Sequence, residues 1–598
     1  MKGGCILLNK TFAYRLEIMM FAVIAIIMIL IGRMAYLQIY RGAYYDRQSE
    51  GNRTRYTTIL APRGIIYDSN GEELVNNKPG FMISLMRRGE AYKPEVIERL
   101  SVILKMPESK IREIIDKSKD NYEPVRLMSN ASPEIVTKIE ENLRDLPGVM
   151  LEVQPVRNYV NKNLAVHALG YVGEISEYEI DNGLYKGLKA GSIIGKFGLE
   201  RFYDNFLRGT DGSYREEVDV NGRVVKIMDK VDPKPGHGLV LTIDAKMQRV
   251  AEAAVDKQLH SLGARACAVV AMDPYTGEIK ALVSRPDFDP NWFVNGISEK
   301  HWQAINNDSF DPMTDKAIAG QYPPGSTFKI VTGSAALEEK KVTPEELIFD
   351  SGRHKLIDMR NANGEALGWI DFKKALSASD NVYFYEMGNR LGIDLLDKYA
   401  AKFGFGTKTG IDLDGEADGL IANPKYKMKV FDEDWFLGDT FNAAIGQGFN
   451  LATPIQVATM LSAVATDGKR FEPHLVKKIL NDDGSVFKTF KPKLLGSLPV
   501  SRENLTLIQD GLKAVTQEGG TAADLGTLPV SVAGKTGTAE NPHGRDHGWF
   551  IAYAPADKPT LVVICIVEQG GYGSVAAVPI VKSILEYAFG QSTQKQGG

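Results

Sequence analysis

Cysteine is scarce. Three residues in 598, Cys5, Cys267 and Cys565, cannot staple a fold, so a small disulfide scaffold is excluded and redox chemistry is not indicated. Net charge is nearly absent as well: 71 Lys and Arg against 75 Asp and Glu leave −4 at pH 7. A chain so balanced offers no broad cationic face for phosphates, which argues against nucleic acid as a partner. Glycine and proline, 58 and 27 residues, fall short of a collagen-like or low-complexity composition. No internal repeat is present. What remains is ordinary, 44% hydrophobic and 24% charged residues, and the length allows about three or four domains of ~150 residues.

The amino-terminal region holds one long apolar run. From Ile18 to Gly32 there is no charge, and Arg33 and Gln38 are the only strongly polar residues before Tyr40. The 23 residues 18–40, at ~1.5 Å per residue, exceed a hydrocarbon core of about 30 Å. Apolar side chains run all round this helix rather than along one face, which favours a membrane span over a core helix. No small-residue cleavage site follows, so the segment reads as an uncleaved anchor. Lys2, Lys10 and Arg15 favour a cytoplasmic tail over 1–17, although Arg33, Arg41 and Arg47 follow the span. Cys5 precedes the span, where a lipoprotein anchor does not fit.

Beyond the anchor, 41–235 reads as a pedestal. It has an extended piece at 61–74 turning at Asp68 to Gly71, helical spacing over 94–144 without obvious chemistry, and a Pro/Gly boundary at 231–238. A second domain, 236–590, is expected to open with a strand at 239–244, a helix near 246–260 and a hairpin turning at Asp273 to Gly277. Three β-rich stretches, 530–538, 549–555 and 560–567, precede a final helix at 575–589, and 591–598 is a tail. Strands from both ends around a helical middle, 325–470, predict an α+β fold: an antiparallel sheet with packed helices.

Three short strings carry chemistry: S-T-F-K at Ser326 to Lys329, S-D-N at Ser379 to Asn381, and K-T-G at Lys535 to Gly537. Each alone is weak, because S-x-x-K recurs at Ser485 to Lys488 and K-T-G at Lys408 to Gly410. Context separates the copies. Ser326 follows P-P-G where a helix begins, so Lys329 shares its face and N–H groups at the helix start can meet an oxyanion. A serine hydroxyl needs a base, and a lysine serves if burial and a second cation, here Lys535, depress its pKa. Ser485 lies in a strand-like alternation that points the two side chains apart. Lys535 ends a β-branched run whose edge suits an extended peptide, and Lys535, Thr536 and Thr538 can bind a carboxylate. A phosphate loop would need glycine at 529, where Pro529 stands. Ser379 and Asn381 alone read as a helix cap. Set between the other two strings, Ser379 becomes a proton relay and Asn381 an amide donor for substrate.

S-x-x-K, S-D-N and K-T-G in this order are the signature of penicillin-binding proteins and class A β-lactamases. The whole chain resembles a class B penicillin-binding protein. R-G-I-I-Y-D at 63–68, G-L-E-R-F-Y-D-N-F-L-R-G-T-D-G at 198–212, V-D-V-N-G-R-V-V at 218–225, Y-P-P-G-S-T-F-K at 322–329 and I-G-Q-G at 445–448 extend the likeness. F-V-N-G-I-S at 293–298, A-I-A-G-Q-Y-P-P-G-S-T at 317–327 and the lack of an appended repeat domain resemble the elongation branch more than the septal one.

The resemblance implies a D,D-transpeptidase that cross-links peptidoglycan outside a bacterial membrane. Ser326 would attack the D-Ala-D-Ala carbonyl of a stem peptide, Lys329 would accept its proton, and the amides of Ser326 and Thr538 would form the oxyanion hole. Ser379, assisted by Lys535, would pass a proton to the departing D-alanine. Asn381 would bind the peptide backbone, with Thr536, Gly537 and Thr538 on the substrate and its carboxylate. β-Lactams would acylate Ser326. Implied partners are a membrane-embedded glycan polymerase of the shape, elongation, division and sporulation family and other elongation-complex proteins. No cofactor is implied.

Competing readings are weaker. A class A hydrolase needs a glutamate in E-x-x-L-N, absent between Ser379 and Lys535. A β-lactam sensor has the same trio, whereas an idle scaffold should carry a broken one. His543 and His547 have the spacing of zinc ligands on a helix, but Gly544 and Gly548 predict a loop there, and no metal is expected. Cys565, in V-V-I-C-I-V, reads as core.

Overall fold

The computed structural model describes residues 4–45, 54–86, 93–117, 124–183, 185, 187–188, 191–218, 224–294, 296–362 and 364–590. The tail at 591–598, Arg47, Asn295 and most of V-D-V-N-G-R-V-V lie outside the described residues. The chain divides into two compact units, one of Met1–Leu60, Gly80–Gln154 and Asp211–Lys234, the other of Ala61–Pro79, Pro155–Thr210 and Pro235–Gly598.

The first unit opens with a helix, Gly4–Ala35, that continues as a π-helical turn, Tyr36–Tyr40. Phe12–Tyr40, 29 residues containing an 18-residue stretch of mean hydropathy 2.5, is long and apolar enough to cross a membrane. It starts before residue 18 because Arg15 and Glu17 interrupt the apolar run without breaking the helix; both are good helix formers. Thr54–Ile59, Gly212–Val218 and Val224–Val231 form a three-stranded antiparallel sheet. The helices Pro94–Leu104, Glu108–Lys117 and Pro133–Asn142 bury one stripe each, as in Ile97, Leu100 and Leu104, in a core shared with Ile83, Leu85 and Leu127.

The second unit is built on five antiparallel strands. These are β1 (Cys267–Met272), β2 (Ile279–Arg285), β3 (Ala533–Ala539), β4 (His547–Ala554) and β5 (Leu561–Val567), in the order β2-β1-β5-β4-β3. Alternation along each strand divides its residues between two cores. Val270, Ile564 and Ile551 face the helix Pro454–Ala465, of which every residue is buried, while Val269, Cys565 and Phe550 face the helices Ala245–Leu262 and Val578–Phe589. Helices on both faces explain why β5 reads as an unbroken apolar run instead of an alternation. Cys565 is core, and its thiol lies 3.9 Å from that of Cys267 on the neighbouring strand.

One expected element lies elsewhere. The strand read at 239–244 is Gly238–Leu241, and it joins Val476–Leu480 antiparallel and Ile66–Tyr67 parallel instead of the five-stranded sheet. A four-residue apolar strand has the same appearance in either sheet, and only the partners distinguish them. Ala61–Pro79 and Pro155–Thr210 belong to this unit and are joined to each other by a buried ionic cluster. Glu200 accepts from Arg63 Nη2 at 2.8 Å and Arg157 Nε at 2.6 Å, and Asp204 accepts from Arg63 Nη1 at 2.9 Å.

Candidate active site

Ser326 lies in a 3₁₀ turn, Gly325–Phe328, that feeds the helix α1 (Lys329–Glu338). Side chains three apart eclipse in such a turn, so Ser326 and Lys329 leave the same side. Gly325 makes the turn possible. Its φ is +55°, and a Cβ there would sit 2.8 Å from the carbonyl oxygen of Thr538. Gly537 completes the fit from the other side, since a Cβ on it would lie 3.1 Å from Thr327 Cγ2. The nucleophile turn and strand β3 therefore lie backbone to backbone.

Ser379 occupies the junction between the helix Phe372–Ala378 and the helix α2 (Asn381–Leu391) in a left-handed conformation, φ +62°. Asp380 is the N-cap of α2, accepting from Tyr383 N–H at 2.6 Å. Capping therefore falls to the middle residue of the string, and its two neighbours are free for chemistry. Ser379 Oγ accepts from Lys535 Nζ at 2.7 Å and lies 3.5 Å from Lys329 Nζ. Lys329 Nζ also donates to Ser379 O at 2.8 Å and Asn381 Oδ1 at 2.6 Å. None of these three hydrogen bonds goes to Ser326. The amine rests on the S-D-N junction, and to act on the Ser326 hydroxyl it would exchange one of these partners, as resting active-site bonds commonly do in a substrate complex.

Both amines are wholly buried. Burial pulls Lys329 down to about 7, against the opposing pull of Asp380, and burial together with Lys329 brings Lys535 well below the usual lysine range. A lysine near neutrality can accept a proton from a serine. Ser379 stands between the two amines, which suits the passage of a proton from one side to the other.

Among the described residues strand β3 is the edge of the sheet, paired only with β4. Thr538 O accepts from Gln447 Nε2 at 3.1 Å, and Thr536 O from Lys535 Nζ at 2.9 Å. These carbonyls point away from β4, and in an antiparallel strand the N–H groups of the same residues point the same way. The Thr538 amide thus faces the open edge beside the Ser326 turn. The Thr536 hydroxyl is 2.7 Å from that of Thr521 and does not join the Lys329, Ser379 and Lys535 cluster.

The second copies fall outside the site. Ser485 precedes the exposed strand Val486–Thr489, and Thr409 of the early K-T-G is bonded through its hydroxyl to Glu416. His547 opens strand β4 instead of lying in the expected loop, with Nδ1 accepting from Gln569 N–H at 3.1 Å, while His543 is exposed. The strand position of His547 follows from pairing with Ala539, which Gly544 and Gly548 do not prevent. Among the described residues no group of three or more His, Cys, Asp and Glu is placed to hold a metal ion. Sequence reasoning gave no role to Gln447, nor to Asn361, whose Oδ1 accepts from the Asn381 N–H at 2.8 Å, and Asp350, whose carboxylate accepts from Asn361 Nδ2 at 2.9 Å. Gln447 lies within the quoted I-G-Q-G, while the other two sit in polar, turn-like sequence with no local signal.

Comparison with known proteins agrees with this geometry. Residues 267–586 match the penicillin-binding protein transpeptidase domain, and residues 58–241 match the penicillin-binding protein dimerisation domain. The chain is 33% identical, over 94% of its length and 86% of the relative, to the peptidoglycan D,D-transpeptidase MrdA of Acinetobacter baumannii. It is similar to the penicillin-binding protein 2 of a complex with MreC from Helicobacter pylori, with TM-score 0.78 and 27% identity over 90% of this chain and 100% of that one. It is also similar to a chain of a peptidoglycan synthase complex coordinating polymerization and crosslinking, with TM-score 0.72 and 31% identity over 96% of this chain and 98% of that one. With the three strings assembled around two buried amines, and both domains matched along the chain, the protein belongs to the class B penicillin-binding proteins.

Proposed function

We propose that this chain is the D,D-transpeptidase of cell elongation, cross-linking peptidoglycan stem peptides through an acyl-enzyme on Ser326. The single observation that carries the reading is the Ser379 hydroxyl held between Lys329 and Lys535 beside the Ser326 turn. Lys329 takes the serine proton as the alkoxide attacks the D-Ala-D-Ala carbonyl. The Ser326 and Thr538 amides receive the oxyanion. Ser379 passes the proton to the leaving D-alanine, Lys535 supporting it, and Asn381 holds the peptide backbone. Thr536, Gly537 and Thr538 present the open strand edge to the carboxylate end of the substrate. An amine from a neighbouring strand then takes the acyl group.

Residues 18–40 anchor the chain, 1–17 form a cytoplasmic tail, and the pedestal at 41–235 and transpeptidase domain at 236–590 face outward from the bacterial membrane. The likeness to proteins in complex with MreC and in a peptidoglycan synthase supports two partners here, a membrane-embedded glycan polymerase and another elongation-complex protein. The test is reconstitution with such a polymerase and lipid-linked precursor. Cross-linked muropeptides sensitive to penicillin support the reading, and uncross-linked glycan alone overturns it.

A pH dependence follows from Lys329. Acylation needs its free amine, so the rate constant for penicillin labelling rises with pH through a midpoint near 7 and falls away below it. A profile flat across that range removes Lys329 from the role of base.

A further inference from the structure

The amides assigned to the oxyanion, those of Ser326 and Thr538, both lie at the margins of their elements. Ser326 sits in a single 3₁₀ turn, and Thr538 is next to the last residue of β3. A donor stabilises developing charge only if it is already aimed at the place where that charge appears, so what holds these two peptides matters. One short turn touches both. It follows the helix Leu437–Ala444 and carries Gly446 and Gln447. Gly446 O accepts from Gly325 N–H, one residue before Ser326, at 2.9 Å, and Gln447 Nε2 donates to Thr538 O at 3.1 Å.

The turn is itself fixed. Gly446 N–H donates to Ala443 O at 3.0 Å and Gln447 N–H to Asn442 O at 2.9 Å, which closes the end of the helix, and Thr332 Oγ1 of α1 donates to Ala444 O at 2.6 Å. Its contact with the nucleophile turn leaves no slack: a Cβ on Gly446 would lie 2.4 Å from Gly325 O and 2.6 Å from Phe328 Cβ. The link to β3 is made by a side chain instead. Gln447 is partly exposed, and among the described residues the hydrogen bond to Thr538 O is the one its side chain makes. In an antiparallel strand the carbonyl and the N–H of one residue point the same way, so holding the Thr538 carbonyl sets the direction of the Thr538 amide.

We propose that Gln447 is a positioning residue of the oxyanion hole: its amide keeps Thr538 in register with the Ser326 turn, to which the preceding Gly446 carbonyl is bonded, so that the two main-chain donors meet one oxygen. This rests on the transpeptidase reading above. Gln447 acts through Thr538 and touches no reacting atom. Its contribution therefore appears as charge develops on the carbonyl oxygen and not in the first encounter with the ligand.

The test is rapid-mixing acylation of the full-length chain in detergent by a fluorescent penicillin, with Gln447→Ala and Gln447→Met beside wild type. Saturation separates the binding constant of the first complex from the acylation rate constant. Both variants lose the amide donor, and methionine keeps the bulk. The acylation rate constant falls ~10-fold, while the binding constant stays within about twofold of wild type. Each acyl-enzyme is then compared by infrared difference spectroscopy, with a penicillin isotope-labelled at its β-lactam carbonyl. In wild type both amides polarise the ester carbonyl, and in the variants its stretch moves to higher frequency because one donor is misdirected. A residue that merely supported the fold would lower the melting temperature and leave that band in place. An unmoved band, a loss confined to the binding constant, an unchanged rate constant, or faster acylation, as from a plug removed from the open edge, overturns the proposal. Should Gln447→Ala not fold, Gln447→Met decides alone by the same readouts. A wild-type chain that is never acylated overturns the transpeptidase reading instead.

Discussion

Alanine in place of Ser326 abolishes covalent labelling by penicillin and cross-linking together, with loss of at least ~10⁴-fold, because the reacting oxygen itself is removed. The fold survives the change. Ser326 is only partly buried, and the turn around it is held by its neighbours: Gly325 N–H donates to Gly446 O at 2.9 Å, Thr327 Oγ1 to Pro324 O at 2.7 Å, and Trp549 Nε1 to Pro323 O at 3.0 Å. Removing one hydroxyl leaves all three bonds in place, so the melting temperature stays within the range of ordinary surface substitutions. Ser485→Ala is the matched control. Its S-x-x-K copy opens an exposed strand, and labelling of that variant equals wild type. Stoichiometric labelling of Ser326→Ala would reject the nucleophile, and loss of labelling in Ser485→Ala would show that the two copies had been confused.

The contrast between the two copies explains what sequence can carry. Spacing, the P-P-G before Ser326 and the β-branched run before Lys535 are local properties, and local properties place a residue on a turn or a strand. They located Ser326, Lys329, Ser379, Asn381 and Lys535 in elements that converge. Local reading also gave the hairpin of β1 and β2, the final helix and the three carboxy-terminal strands, because apolar runs between turn residues need little tertiary context. The strand Gly238–Leu241 shows where this stops. Its residues specify an extended, half-buried segment, but its partners, Ile66–Tyr67 and Val476–Leu480, lie roughly two hundred residues away on either side.

The supporting shell of the site was illegible for a related reason. Asn361 lies in N-A-N-G, which reads as a turn, and Asp350 in F-D-S-G, which reads as another. They meet a buried carboxyl, Asp380, that lies 19 residues beyond Asn361, a relation with no periodicity to reveal it. Gln447 was visible as part of a glycine-flanked string, yet nothing in that string says that its amide meets the Thr538 carbonyl, 91 positions later. Thr536 illustrates the opposite limit. The K-T-G-T order places a hydroxyl near the strand edge, but not the Thr521 hydroxyl that engages it.

Glu200→Gln should cost the second unit ~3–5 kcal/mol, the largest stability effect expected from a single isosteric change in this chain. The wild-type carboxylate is fully buried and accepts from two guanidinium groups, Arg63 and Arg157, which come from separate stretches of chain. Asp204 balances the second positive charge through Arg63 and also accepts from Gly195 N–H at 2.9 Å. A glutamine there leaves Arg63, Arg157 and Arg208 around one acid, Asp204, with an amide NH₂ directed at one of the arginines that Glu200 had paired. The uncompensated cation must stay buried, and that is far costlier than losing a surface pair. The effect has a pH signature. Burial pushes Glu200 up, but Arg157 and Arg63 outweigh it and hold the acid below its ordinary 4.5. A depressed acid stabilises the fold fully above its ordinary value, and that contribution is lost as pH falls through the lower folded value. Wild-type stability should therefore have an acid-sensitive component that Glu200→Gln lacks, and the two melting curves should converge as the pH drops. Calorimetry of both chains in detergent at neutral and acid pH checks this. Equal melting at neutral pH would mean that the cluster is not what ties Ala61–Pro79 to Pro155–Thr210.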